Sequence, residues 1–177
     1  KLFGYNVQLN KLVSWAPNLV NPIIGSALSK KLMGIAAERS LPKISSTKQR
    51  RQLKKAGNYS REVDLYLFMD EFTSLYDTQI GLDAVELLER LGYRVGRVNH
   101  PESARSFLSK GLLKEAQKII NKNIALFSGL IDDKTPLIGI EPSAILGFRD
   151  EYPRLAADKA SADKLAKNSF TFEEFIE

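Results

Sequence analysis

The sequence predicts an α/β domain, a small parallel sheet of three or four strands with helices on both faces, preceded by a basic helical segment. Three observations carry this. Val63-Asp-Leu-Tyr-Leu-Phe-Met69 is a short apolar run rich in strand formers. Gly81 to Gly92 has helical periodicity and a glycine stop, and Tyr93 to Val98 then reads as a second strand. Strand, helix and strand within about 35 residues is the unit that pairs strands in parallel through a helical crossover.

The remaining elements follow in order. Leu112 to Phe127 is a second amphipathic helix and Pro136-Leu-Ile-Gly-Ile140 a third short strand. Glu141-Pro-Ser143 opens the next helix, with proline where its missing N–H costs nothing. Such a β-α-β-α-β-α order gives a parallel sheet covered on both faces. Ahead of it, residues 9 to 36 carry apolar positions at helical spacing, broken by prolines, and read as two or three short helices. Residues 39 to 60 mix Ser, Pro, Gly and the run Lys48-Gln-Arg-Arg-Gln-Leu-Lys-Lys55, which reads as an exposed connector with at most one short helix. The expected division is residues 1–60, basic helical segment and linker, and residues 61–177, the α/β domain.

Composition bounds function. With 177 residues, 44% hydrophobic and 27% charged, the chain has material for one packed core plus an appendage. The net charge of +5 is uneven: residues 1 to 60 hold eleven Lys or Arg against Glu38 alone, and residues 61 to 177 hold fifteen against twenty acids. There is no cysteine, so disulfides, zinc–thiolate sites, iron–sulfur ligation and cysteine nucleophiles are excluded together. The longest apolar-leaning stretch, Leu12 to Leu28, contains Pro17, Asn18, Asn21 and Pro22 and should not span a membrane. Starting at Lys1 without a leader pattern and stopping just after Phe170, Phe172 and Phe175, the sequence reads as part of a longer protein.

Ligands of such sheets sit beyond the carboxyl ends of the strands. Those ends are Asp70-Glu-Phe-Thr73, Asn99-His-Pro-Glu-Ser-Ala-Arg105 and Glu141-Pro-Ser143. His100, the only histidine, could serve as ligand or proton carrier, although a lone loop histidine is more often a surface residue. With Asp70, Glu71, Glu102 and Glu141 it would form an oxygen- and nitrogen-rich set suited to magnesium, calcium or manganese. Acids at strand ends more often cap helices or stay solvated, so no metal is expected. Glu141-Pro142-Ser143 reads either as an ordinary helix start or as an anion-binding loop, which Glu141 would oppose unless Arg105 or Arg149 intervened. Arg105 could clamp a carboxylate through two parallel hydrogen bonds, though an ion pair with a nearby acid is the commoner use. The candidate ligand-binding set is therefore Asp70, His100, Glu102, Arg105, Glu141 and Ser143, with no catalytic residue assigned. Lys48 to Lys55 lacks interleaved aromatics or a reader motif, which favours a solvated linker over nucleic-acid binding. The glycines of Gly92-Tyr-Arg-Val-Gly96 do not form a dinucleotide fingerprint, and no nucleophile elbow is present.

Leu108-Ser-Lys-Gly-Leu-Leu113, Gly139-Ile-Glu-Pro-Ser143 and Phe148-Arg-Asp-Glu-Tyr-Pro-Arg-Leu155 resemble the cysteine-rich (CCG-type) domain of FAD-linked oxidases and of glycolate-oxidase and heterodisulfide-reductase iron–sulfur subunits. Gly34-Ile-Ala-Ala-Glu-Arg-Ser-Leu-Pro42 and the stretch from Lys167-Asn-Ser-Phe170 to Glu174-Phe-Ile176 extend the likeness over most of the chain. Members of that family place a cysteine after the first strand, Cys-Cys-Gly after the second and Glu-Pro-Ser-Cys after the third, and these ligate an iron–sulfur cluster. The corresponding places here are Asp70, Glu102-Ser103-Ala104 and Ala144, so every sulfur is replaced.

The resemblance implies a C-terminal module of an FAD-linked oxidoreductase of D-lactate dehydrogenase type, acting on a D-2-hydroxy acid such as lactate, glycolate or 2-hydroxyglutarate. The iron–sulfur site would be lost here, leaving a structural or domain-organising role and a fragment inactive alone. The alternative is a small-molecule or divalent-metal-binding α/β domain using the strand-end loops. No cofactor is expected within these residues, with FAD and iron–sulfur clusters elsewhere in the parent. Expected partners are the parent's other domains and not nucleic acid. The expected location is the cytoplasm, with a peripheral contact at the inner membrane face left open by the basic segment.

Overall fold

The computed structural model describes residues 5–57 and 62–177. The N-terminal segment forms α1 (Asn6–Val13), α2 (Pro17–Ile24), α3 (Ala27–Leu32) and α4 (Thr47–Lys55). The domain continues as β1 (Leu65–Phe68), α5 (Glu71–Leu75), α6 (Thr78–Arg90), β2 (Val95–Gly96), α7 (Arg105–Leu108), α8 (Leu113–Phe127) and β3 (Leu137–Gly139). It closes with α9 (Pro142–Arg149), α10 (Glu151–Leu155), α11 (Lys159–Lys167), β4 (Ser169–Thr171) and α12 (Phe172–Ile176).

The four strands form one sheet in the order β2-β1-β3-β4. Every neighbouring pair is parallel, with Leu65 opposite Val95, Leu67 opposite Ile138 and Ile138 opposite Phe170. The expected α/β architecture is thus present, in its four-stranded form. The fourth strand is one that the sequence offered only as a family-like tail.

Side chains alternate along a strand, so β1 feeds two cores. Leu65, Leu67 and Met69 join Ile138, Val85, Leu88 and Leu53 under α4 and α6. Phe68 joins Leu137, Ile120, Phe127, Ile145, Phe148 and Tyr152 under α8, α9 and α10. On the second face, α9 lies flush against β3 because Gly139 has no side chain: a Cβ there would stand 2.4 Å from the Cβ of Ile145.

The basic run is not a free connector. Its last turn buries Leu53 to 2% exposure, and Ser46 and Gln49 close its start as a capping box. Arg97, just after β2, donates to the carbonyls of Leu53 and Ala56, and Arg50 donates to those of Ser14 and Ser45. The Asn21 amide bridges both backbone groups of Ile44 at 2.9 Å. By contrast, α2 and α3 bury almost nothing apolar, and Leu19, Ile23, Leu28 and Leu32 stand exposed. The connector's remaining residues, 58–60, lie outside the described ones. No described helix is long and apolar enough to cross a membrane.

Candidate functional site

In this strand order the chain runs outward from β1 to β2 and then returns past β1 to β3, so the direction of strand addition reverses beside β1. The carboxyl ends at such a reversal are where open α/β sheets bind ligands. Two hollows open there. A cleft of about 830 Å³ lies at the ends of β1 and β2 under α1 and α4, and includes Met69, Glu71, His100 and Glu102 in its lining. A crevice of about 590 Å³ is lined by Phe72, Arg105, Ser106, Glu141 and Ser143 among others.

Asp70 is buried and caps α5, accepting from the Phe72 N–H at 2.7 Å, the Thr73 N–H at 3.0 Å and the Thr73 hydroxyl at 2.5 Å. Burial raises its pKa against the pull of these bonds. Its neighbour Glu71 is also buried and accepts from Ser103 through both oxygens, at 2.9 Å from the backbone N–H and 2.8 Å from the hydroxyl. Here too burial pushes the carboxyl upward. The Glu71–Ser103 contact ties the loop after β1 to the loop after β2.

His100 is committed internally. Its Nε2 lies 3.2 Å from the Met69 N–H, which can only donate, so Nε2 is the bare nitrogen and Nδ1 carries the proton, donated to the Pro101 carbonyl at 2.6 Å. Its ring stacks on Phe68 with centroids 4.2 Å apart. Burial lowers its pKa to about 4, with the nearby Arg97 and Lys11 adding to the effect. It is a neutral, fully bonded imidazole rather than a free base or ligand.

Glu102 is the less settled acid. Its Oε1 accepts from the Gln8 amide, while Oε2 is buried without a hydrogen-bond partner. Burial first, and then the charge of Glu71, push its pKa up to about 7. On the other side, Glu141 caps α9 by accepting from the Ala144 N–H at 2.8 Å and takes the Ser143 hydroxyl at 2.5 Å. Arg105 stands 3.9 Å from Glu151.

The candidate residues therefore divide instead of converging on one pocket. His100 and Glu102 belong to the cleft, Arg105, Glu141 and Ser143 to the crevice, and Asp70 is held as a buried cap. Among the described residues no three histidine, aspartate or glutamate side chains come together as a metal would need, so the divalent-ion constellation is not assembled. The cluster-ligand positions implied by the resemblance do not suit an iron–sulfur group either. Asp70 is fully engaged, Ser103 gives its N–H and hydroxyl to Glu71, and Ala144 is packed in the hydrocarbon core beside Phe148.

The cleft has a positive wall of Lys11 from α1, Arg50, Arg51 and Lys54 from α4, and Arg97. The sequence alone reads the α4 part of it, within Lys48 to Lys55, as a solvated linker and does not single out Lys11 or Arg97. The signal was present in part, since positions 50, 51 and 54 share one side of a helix. What placed that side over the strand ends was the long-range fastening of α4 by Arg97.

Over 95 residues the chain is 27% identical to the D-2-hydroxyglutarate dehydrogenase of Haemophilus influenzae, a match covering 54% of this chain and 9% of that protein. It is 31% identical over 83 residues to the Escherichia coli K12 protein of the same name, covering 47% of this chain and 8% of that one. The Pantoea ananatis protein of that name matches at 25% over 107 residues, 60% of this chain and 10% of its own length. No family model matches the chain, and no solved structure matches it significantly. The match spans about a tenth of the length of these relatives. Over roughly half its length, then, this chain is similar to a short portion of D-2-hydroxyglutarate dehydrogenases.

Proposed function

We propose that the chain is a module of an FAD-linked oxidoreductase acting on a D-2-hydroxy acid, with the substrate and flavin handled elsewhere in the parent. Its own role is to hold neighbouring parts of that enzyme in place and not to relay electrons. The observation that carries this is the wiring of the strand-end loops: Asp70, Glu71 and His100 spend their polar atoms on the protein itself. Groups that close the fold are poorly suited to exchange ligands.

Support for the lineage comes from the relatives' names and from Ala104. Its φ of +66° lies in the left-handed region that glycine occupies most easily. The resemblance puts the glycine of the Cys-Cys-Gly triplet at this place, and glycine suits the same left-handed bend.

The test is made in the full-length parent, following flavin reduction by D-2-hydroxyglutarate and onward transfer to an artificial acceptor. Asp70→Asn and Glu102→Gln should leave both rates within about twofold, because neither group touches a reacting atom. A fall beyond about tenfold in onward transfer, in protein that remains folded, would end the organising role.

A further inference from the structure

We propose that the cleft at the carboxyl ends of β1 and β2 binds a nucleoside diphosphate: phosphates against the basic wall, sugar hydroxyls onto Glu102, and the planar base over Trp15.

Charge is the first argument. Lys11, Arg50, Arg51, Lys54 and Arg97 line the cleft against only two acids, Glu71 and Glu102. None of the five cations comes within 4.0 Å of a carboxylate as an ion pair among the described residues, whose ion pairs all lie elsewhere. Arg50 and Arg97 donate to backbone carbonyls, which satisfy N–H groups but leave the charge uncompensated. A guanidinium withdrawn from water without a counter-charge is costly, and a polyanion supplies it.

The second argument is the unused acceptor. Glu102 is 8% exposed, and its Oε2 is buried with no partner. Such an orphan asks for a donor, and a small turn of the side chain toward the cleft it lines would let this oxygen accept sugar hydroxyls, as strand-end carboxylates do in sheets of this kind. Inorganic phosphate or a small dicarboxylate would answer the wall alone.

Size and stacking supply the third. A volume of about 830 Å³ falls within the range of sites for drug-sized ligands and exceeds the needs of a five-carbon acid. Trp15 lines the cleft with 77% of its surface exposed, leaving an indole face open to a stacked ring.

Trp15 is the only tryptophan, so the site carries its own reporter. The chain is titrated with ADP, inorganic pyrophosphate and D-2-hydroxyglutarate, following tryptophan fluorescence and heat. Expected is a saturable fluorescence change with ADP, weakened by added salt, with pyrophosphate binding at least about tenfold more weakly. Arg51 and Lys54 are exposed, so R51A/K54A should melt like the parent yet lose about tenfold or more in ADP affinity. No saturable ADP signal by millimolar concentration, or pyrophosphate or D-2-hydroxyglutarate binding as tightly as ADP, would overturn the proposal.

Discussion

Ser103 donates to Glu71 twice, its backbone N–H to one carboxylate oxygen at 2.9 Å and its hydroxyl to the other at 2.8 Å. This two-point clamp joins the loops that follow β1 and β2. Removing the acceptor strands a buried N–H, so Glu71→Ala should cost about 2–3 kcal/mol in urea denaturation. Ser103→Ala removes only the hydroxyl and should cost about 1 kcal/mol. The double variant should fall short of the sum of the two, because both changes break one contact. Strict additivity would show that the clamp does not form in solution.

Ala104 is fully buried in a left-handed turn with φ +66°. An alanine there carries strain that glycine lacks, although glycine adds freedom to the unfolded chain. Ala104→Gly should therefore stabilise by up to about 1 kcal/mol, seen as a raised Tm. A loss of more than about 1 kcal/mol would contradict the left-handed backbone.

Gly139→Ala should act in the opposite sense. The added Cβ meets the Cβ of Ile145 at 2.4 Å, well inside van der Waals contact, and α9 must shift off β3 to admit it. A cost of roughly 2–3 kcal/mol is expected in urea denaturation, and Ile145→Ala should not rescue it, because alanine keeps the Cβ that makes the closest contact.

Two titrating groups pull stability in opposite directions. His100 sits at about 4 when folded against 6.5 ordinarily, so its contribution is complete above 6.5 and is lost as pH falls toward 4. Glu102 sits at about 7 against 4.5, so its contribution is complete below 4.5 and is lost as pH rises through 7. Gln8, Glu71 and Lys11 are the groups that bear on it. The gain from Glu102→Gln over the parent chain should grow from about pH 4.5 to 7 and then level, reaching roughly 2–3 kcal/mol. By NMR, the His100 ring protons should not titrate between about pH 8 and 5. A midpoint near 6.5 would place that ring in solvent.

The sheet was legible because Leu65 to Met69 and Leu137 to Ile140 are apolar runs bounded by turn residues. β4 was not, since Ser169, Phe170 and Thr171 are too few to set up an alternation and run straight into α12. α4 offers Leu53 as its single apolar residue, so its burial depends on Arg97, more than forty residues away. At the site, strand ends located Asp70 and Glu141, while their capping roles depend on the helices each begins. The meeting of Glu71 with Ser103 was hidden for a different reason. It requires the left-handed bend at Ala104, which no propensity assigns to alanine.

The central position of β1 also bears on how the chain is made. β1 and β2 can pair soon after synthesis, but the other edge of β1 is matched by β3 only about seventy residues later. In the interval the nascent chain carries an open strand edge with Phe68 uncovered, because Leu137, Ile145 and Phe148 have not yet emerged. Ribosome pausing or truncation between α8 and β3 would prolong that state, making this stretch the chain's window for misassembly and for capture by chaperones.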